Sequence, residues 1–97
     1  MTATFPSVTL ASKATPSDDV LVQEVGGESV LLDLASERYF GLDPVGTRIW
    51  ALLGEHGSLQ TINDTLCEEF DAEPARIRSD LLALVGELAE AGLVKVE

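Results

Sequence analysis

Residues 29–53, SVLLDLASERYFGLDPVGTRIWALL, decide the fold because two short apolar runs lead directly into a helical pattern. The runs, 30–34 and 39–42, are rich in the branched and aromatic side chains that favour strands. Four residues separate them, with the break at Ala35-Ser36, which predicts a tight antiparallel hairpin. This turn has no glycine, so its type stays open. A small sheet is therefore expected beside helices.

The side chains within the hairpin favour one strand register. If Leu32 lies opposite Tyr39, Asp33 lies opposite Arg38. Opposite charges facing each other across two strands stabilise their pairing by a few tenths of a kcal/mol. We expect both pairs in the same register.

A further strand precedes this hairpin. Residues 20–25 are mostly valine and leucine, and Gly26-Gly27 supplies a turn that tolerates positive φ. With strands at 29–34 and 37–42, the sequence predicts a three-stranded antiparallel meander.

Residues 1–17 contain two prolines and few large apolar side chains, which indicates an N-terminal arm, partly disordered, before a domain at 18–97.

Three helices are predicted after the sheet. Asp43-Pro44 is a cap followed by a proline that suits a first helical position, and Ser58 caps the second helix after Gly54 to Gly57 end the first. Apolar residues at helical spacing are Val45, Ile49, Leu52 and Leu53 in the first helix, and Leu59, Ile62, Leu66 and Phe70 in the second.

The third helix begins near 71–74 and continues to about Ala91, with Gly92 as its stop. Its apolar face spans about 160°, wider than the roughly 100° stripe that a surface helix needs. The residues on that face are Ile77, Leu81, Leu82, Leu84, Val85, Leu88 and Ala89. Either the domain wraps this helix on two sides, or one flank lines a groove for a peptide. The fold class is thus α+β, a small winged-helix-like domain with a three-stranded antiparallel sheet followed by three helices.

The charge argues against nucleic acid and anionic membranes as partners. The chain has 97 residues, and its 17 acidic and six basic residues give a net charge of −11. Such a surface repels phosphate groups. In the third helix, Arg76 and Arg78 are outnumbered by acids, unlike a DNA-recognition helix. The acidic excess is either a solvating surface or a patch for a basic partner.

The sequence offers no constellation for catalysis, a metal or a cofactor. Cys67, the single cysteine, lies among apolar helical positions, and His56, the single imidazole, lies at the end of a different helix. A lone cysteine excludes an internal disulfide and fits a reducing cytoplasm. No stretch is apolar for long enough to cross a bilayer, and the N-terminus does not resemble a secretion signal.

The run Tyr39-Phe40-Gly41-Leu42-Asp43, then Gly46 and Ile49-Trp50, followed by two more helices, resembles the PqqD-like family. The resemblance covers about residues 20–97. Members bind the leader segment of ribosomally made precursor peptides. In them the leader lies antiparallel to the third strand and under the third helix, a case of strand addition to an open sheet edge.

The resemblance implies particular binding residues here. Backbone groups of the third strand would pair with the leader, and the third helix would supply side-chain pockets. The strand candidates are Arg38, Tyr39, Phe40 and Gly41, and the helix candidates are Ile77, Asp80, Leu81, Leu84 and Val85. Alternate strand residues face opposite sides, so only one of Tyr39 and Phe40 can point to the helices.

The resemblance also implies partners. Besides the leader, we expect a processing enzyme: a leader-cleaving cysteine protease of the lasso-peptide type is favoured, and a radical S-adenosylmethionine enzyme is the alternative. Residues 55–73 hold six acids and no lysine or arginine, so Asp64, Glu68 and Glu69 are candidates for docking a basic patch on that enzyme. From another class, the rival interpretation is an interaction module that dimerises through its open strand edge.

Overall fold

The computed structural model describes residues 8–97. Five strands and three helices follow one another in the order β1, β2, β3, β4, α1, α2, α3, β5. Their bounds are β1 Ala14–Pro16, β2 Val20–Val25, β3 Glu28–Asp33, β4 Arg38–Leu42, α1 Pro44–Glu55, α2 Leu59–Glu69, α3 Pro74–Glu90 and β5 Val94–Val96. The α+β prediction of a three-stranded antiparallel sheet followed by three helices is confirmed.

The main sheet has the predicted meander order, β2-β3-β4, with β2 and β4 at its edges. Its register pairs Leu32 with Tyr39 and Asp33 with Arg38, as predicted. The β2–β3 turn uses Gly26 and Gly27 at φ of 62° and 86°. Positive φ at both central residues is the type I′ turn, whose twist matches that of the strands it joins.

The β3–β4 turn differs from expectation in how it uses Asp33. The Asp33 carboxylate makes no ion pair with Arg38. Instead, its Oδ1 accepts a hydrogen bond from the Ala35 N–H at 3.1 Å, and its Oδ2 accepts one from the Ser36 hydroxyl at 2.8 Å. Glu37 adopts a left-handed conformation at φ 60°, the position that glycine would otherwise occupy. Asp33 therefore stabilises a turn that lacks glycine.

Asp33→Ala is expected to destabilise the domain by about 1–2 kcal/mol, because it removes both side-chain acceptors from the turn. Asp33→Asn keeps one carbonyl oxygen as an acceptor, so its free energy of unfolding should fall by less. Urea denaturation of the three proteins measures the difference. If the free energy of unfolding is the same for Asp33→Ala and wild type, the turn does not depend on this carboxylate.

The helix starts follow the capping signals in the sequence. The Asp43 carboxylate accepts from the Gly46 N–H at 2.7 Å, and the Ser58 hydroxyl accepts from the Thr61 N–H at 3.5 Å. Each cap satisfies an N–H that the first turn of a helix leaves without a partner.

Side chains from β3 and all three helices form one core, whose largest fully buried members are Leu31, Ile49, Leu52, Leu59, Ile62, Leu66, Leu81, Val85 and Leu88.

A second, two-stranded sheet was not predicted. β1 pairs antiparallel with β5, which places Ala14 opposite Val96 and Pro16 opposite Val94. Ala14 is fully buried in the core, and its N–H donates to the Gly57 carbonyl at 2.9 Å. The segments 14–16 and 94–96 are thereby joined, in contact with α1 and α3 respectively. Of the predicted N-terminal arm, residues 1–7 lie outside the described part of the chain.

Candidate functional site

The outer edge of β4 carries backbone groups that the sheet does not use. The two residues that flank a type I′ turn form a hydrogen-bonded pair, here Val25 and Glu28. From Glu28 onward, the backbone N–H and C=O groups of β3 therefore point alternately toward β2 and toward β4. The pairs that bond β3 to β4 are then Ser29 with Leu42, Leu31 with Phe40, and Asp33 with Arg38. The N–H and C=O groups of Tyr39 and Gly41 consequently point to the free edge. They are available to an added strand.

A groove of about 600 Å³ lies beside β4, within the size range of ligand sites. Its floor is apolar and comes from four elements. The apolar side chains that line it include Phe40 and Leu42 of β4, Val45 and Ile49 of α1, Leu66 of α2, and Ile77 and Leu84 of α3, together with Phe70. The rim carries the charged residues Asp43, Arg76, Asp80 and Glu87.

The start of α1 approaches the end of β4 closely because residue 46 is glycine. A Cβ at Gly46 would lie 3.2 Å from Asp43 Oδ1 and 3.3 Å from the Leu42 Cβ. Behind this contact, the Ser29 and Thr47 hydroxyls are hydrogen-bonded at 2.8 Å and tie α1 to the sheet. The groove wall formed by β4 and α1 is therefore held by packing and by a polar contact.

The structure separates the two flanks of α3. Ile77, Asp80 and Leu84 line the groove, as the sequence predicted for this helix. Leu81 and Val85 do not, because both are fully buried in the core. Their placement as groove residues is corrected: seven apolar positions on one helix did not reveal which ones the domain covers.

The β4 candidates are likewise divided between the two faces of the sheet. Phe40 lies opposite buried Leu31 and lines the groove, whereas Tyr39 points to the other face and is 79% exposed. Gly41 lines the groove. Arg38 is exposed and does not line it.

Sequence reasoning missed several groove residues. Arg76 and Glu87 share the α3 flank of Asp80 and Leu84, at spacings of three and four residues, so helical periodicity could have found them once that flank was known. Val45 shares the apolar helical spacing of Ile49, Leu52 and Leu53 in the sequence, yet it is 37% exposed and lines the groove. No sequence signal distinguishes it from its buried neighbours.

The charge on α2 is also less uniform than expected. Arg48 of α1 donates to both carboxylate oxygens of Glu69, at 2.8 and 2.6 Å. This hydrogen-bonded pair lowers the pKa of Glu69 below the ordinary glutamate value. Glu69 is therefore not an uncompensated acid. Asp64 and Glu68 remain exposed, and Asp64 accepts a hydrogen bond from the Gln60 amide.

Because the folded state lowers the pKa of Glu69, this ion pair contributes its full stabilisation above the ordinary glutamate value of 4.5, and the contribution is lost as the pH falls through the lowered pKa. Arg48→Gln should lower Tm slightly, by about 2 °C or less, near neutral pH, since both side chains are solvent-exposed. We expect the difference in Tm to shrink as the pH falls from neutral to below 4.5. The test measures Tm by thermal unfolding of wild type, Arg48→Gln and the control variant Arg78→Gln over this pH range. If the loss of Tm in Arg48→Gln grows as the pH falls, the ion pair does not stabilise the domain in this way.

Among the helices of residues 8–97, none is long and apolar enough to cross a membrane. Within the same residues, no group of three or more His, Cys, Asp or Glu side chains is arranged to hold a metal ion.

Comparison with known proteins finds one matching family model and two similar solved structures. The family model for coenzyme PQQ synthesis protein D (PqqD) matches residues 28–94. The solved structure of TbiB1 in complex with the TbiA(beta) leader peptide is 37% identical, covers 84% of this chain and 94% of its own, and superposes with a TM-score of 0.78. The solved structure of a lasso peptide synthetase B1 complexed with the leader peptide is 25% identical. It covers 86% of this chain and 98% of its own, with a TM-score of 0.75. No curated protein sequence matches the chain.

Proposed function

Because the chain belongs to the PqqD family, we propose that it binds the leader segment of a ribosomally made precursor peptide and presents it to a processing enzyme. The leader adds as an antiparallel strand to β4, beneath α3. The two similar structures described as leader-peptide complexes support this function.

One observation carries the proposal: the free backbone edge of β4 borders the apolar groove whose far wall is α3. An extended peptide placed there gains two kinds of interaction at once. Its backbone pairs with Tyr39 and Gly41, and every second side chain enters the groove. Strand addition supplies affinity, while the groove selects among sequences.

Under this proposal the candidate residues have distinct roles. Tyr39 and Gly41 contribute backbone groups, whereas those of Arg38 and Phe40 are engaged with β3. Phe40, Ile77 and Leu84 contact apolar leader side chains. Asp80 lies on the rim, where its carboxylate is 3.8 Å from the Arg76 guanidinium. Leu81 and Val85 act only by supporting the groove from the core.

The role of the domain is delivery, with no cofactor and no chemistry of its own, in the cytoplasm. By holding the leader and docking on the enzyme, it raises the effective concentration of the adjacent core peptide at the active site. We favour a leader-cleaving cysteine protease of the lasso-peptide type, because one of the two similar leader-peptide complexes is that of a lasso peptide synthetase B1. A radical S-adenosylmethionine enzyme is the alternative, because the matching family model is named for coenzyme PQQ synthesis.

Electrostatic attraction supports the delivery step. With a net charge of −11, the domain attracts an enzyme with a basic surface, and the exposed Asp64 and Glu68 of α2 add to that field. Glu69 contributes less because Arg48 neutralises it. The association should weaken strongly as salt is raised. Insensitivity to salt would count against a docking role for these acids.

The test is titration of the protein with a fluorescent peptide copied from the leader of the precursor encoded beside its gene. We expect saturable binding with Kd near micromolar or tighter, about −8 kcal/mol or better. Absence of binding by the folded protein would overturn the proposal. Sedimentation at rising concentration checks the rival role, since a module that pairs β-edges with itself would become a dimer.

A further inference from the structure

The face of the main sheet turned away from the helices is apolar and uncovered. The buried side chains of Ser29, Leu31 and Asp33 define the face of β3 that points toward the helices. The alternate β3 residues, Val30 and Leu32 among them, point the other way, and so do the β2 and β4 residues paired with them. We call this the outer sheet face. Its apolar members are Leu21 and Val25 of β2, Val30 and Leu32 of β3, and Tyr39 of β4.

These side chains are strongly exposed: Leu21 to 56%, Val25 to 71% and Tyr39 to 79%. Val30 of the same face is 44% exposed, so four of the seven exposed large apolar side chains of residues 8–97 lie on the outer sheet face. Contiguous apolar surface of this kind is typical of a protein-interaction site. The leader groove does not account for it, because Phe40 and the groove lie on the opposite face.

The surrounding charge indicates what kind of protein fits. Residues 18–43 contain seven acidic residues and one basic residue. Glu28 lies on the outer sheet face, and Asp18, Asp19 and Glu37 are exposed just beyond the ends of its strands. Glu24, Asp33 and the single basic residue, Arg38, belong to the opposite face. In a dimer, a second copy would bring an equally acidic border against the first, and like charges facing each other oppose association. An apolar surface bordered by lysine and arginine is complementary. The charge thus favours a different protein over a second copy.

The outer sheet face is continuous with the strand that receives the leader. Tyr39 lies on this face, and its backbone faces the free edge of β4. A strand added there places every second side chain on the outer face, beside Tyr39. A protein bound to the outer sheet face therefore contacts the bound leader as well.

We infer that the outer sheet face is the surface on which the processing enzyme docks, through an apolar patch bordered by basic residues. This inference rests on the proposed leader-binding function and adds the location of the second partner. The acids of α2 attract the enzyme from a distance, while Leu21, Val25 and Tyr39 make the apolar contact.

Leu21→Asp and Val22→Asp form a matched pair for the test. The two residues are adjacent on β2, far from the leader edge, and similarly exposed at 56% and 47%, but they lie on opposite faces. The affinity of each variant is measured for the leader peptide and, separately, for the leader-cleaving protease encoded beside the gene. We expect Leu21→Asp to weaken protease binding at least about tenfold, Val22→Asp to change it less than about twofold, and both to keep wild-type leader affinity.

Equal protease affinity of folded Leu21→Asp and wild type would overturn the inference, as would equal losses in both variants. Failure of the wild-type domain to bind the protease while it binds the leader would overturn the inference and leave the proposed leader binding intact. Failure to bind the leader would instead defeat the proposed function. A wild-type dimer that Leu21→Asp dissociates, with protease binding unchanged, would assign this face to a second copy.

Discussion

Gly41→Pro should lower the affinity for the leader peptide at least about 30-fold, or about 2 kcal/mol, while the domain stays folded. The Gly41 N–H points to the free edge of β4, so its loss breaks no bond within the sheet. Proline removes this donor and places its ring where the added strand must approach. Edge strands tolerate proline when the lost N–H faces outward. Fluorescence titration measures the affinity, and circular dichroism confirms the fold.

Gly41→Ala is the matched control for this substitution. It keeps the backbone N–H, and a Cβ at this position meets no atom within 4 Å. Leader affinity should therefore stay within about twofold of wild type, given the small size of a surface methyl group. Wild-type affinity in folded Gly41→Pro would show that the leader does not pair with this edge. Equal losses in both variants would indicate that any change at Gly41 disturbs the groove.

The parts of the fold that sequence predicted correctly depend on local chemistry. Gly26-Gly27 tolerates the positive φ that a hairpin turn requires, and Asp43 followed by proline is a strong helix-start signal. The register of β3 and β4 was also correct, although for an incomplete reason. Asp33 was assigned to an ion pair, but two nearby turn donors satisfy it instead. Several local causes favoured the same register.

The β1–β5 sheet shows where local reasoning ends. Each strand has three residues, ATP and VKV, and about eighty residues separate them. Neither segment has enough alternation to identify a strand. The pairing is fixed by core packing, which buries Ala14 and Val94 against the helices. Tertiary contacts alone create this sheet.

The candidate site was predictable in its elements but not in its side chains. Strand addition needs an edge and a neighbouring helix, and both followed from the element order. Which flank of α3 faces the edge depends on the angle at which α3 packs, and no sequence pattern reports that angle. Leu81 and Leu84 are equivalent in sequence, yet one is in the core and the other lines the groove.

Leu84→Asp should weaken leader binding about 30- to 100-fold, because Leu84 is a half-buried apolar wall of the groove on α3. The new carboxylate would remove an apolar contact. It would also lie one helical turn from both Asp80 and Glu87, which raises the cost of burying it under a bound peptide. Leu81→Asp cannot replace this test, since a carboxylate in a fully buried core position unfolds the domain.

Leu82→Asp separates binding from stability. Leu82 lies on the same helix and is also half-buried, but it does not line the groove. Both variants should lose comparable free energy of unfolding in urea titrations, and only Leu84→Asp should lose leader affinity. If both lose it equally, the groove has no specific role and binding depends on the β4 edge alone. If only Leu84→Asp loses it, the leader lies between β4 and α3.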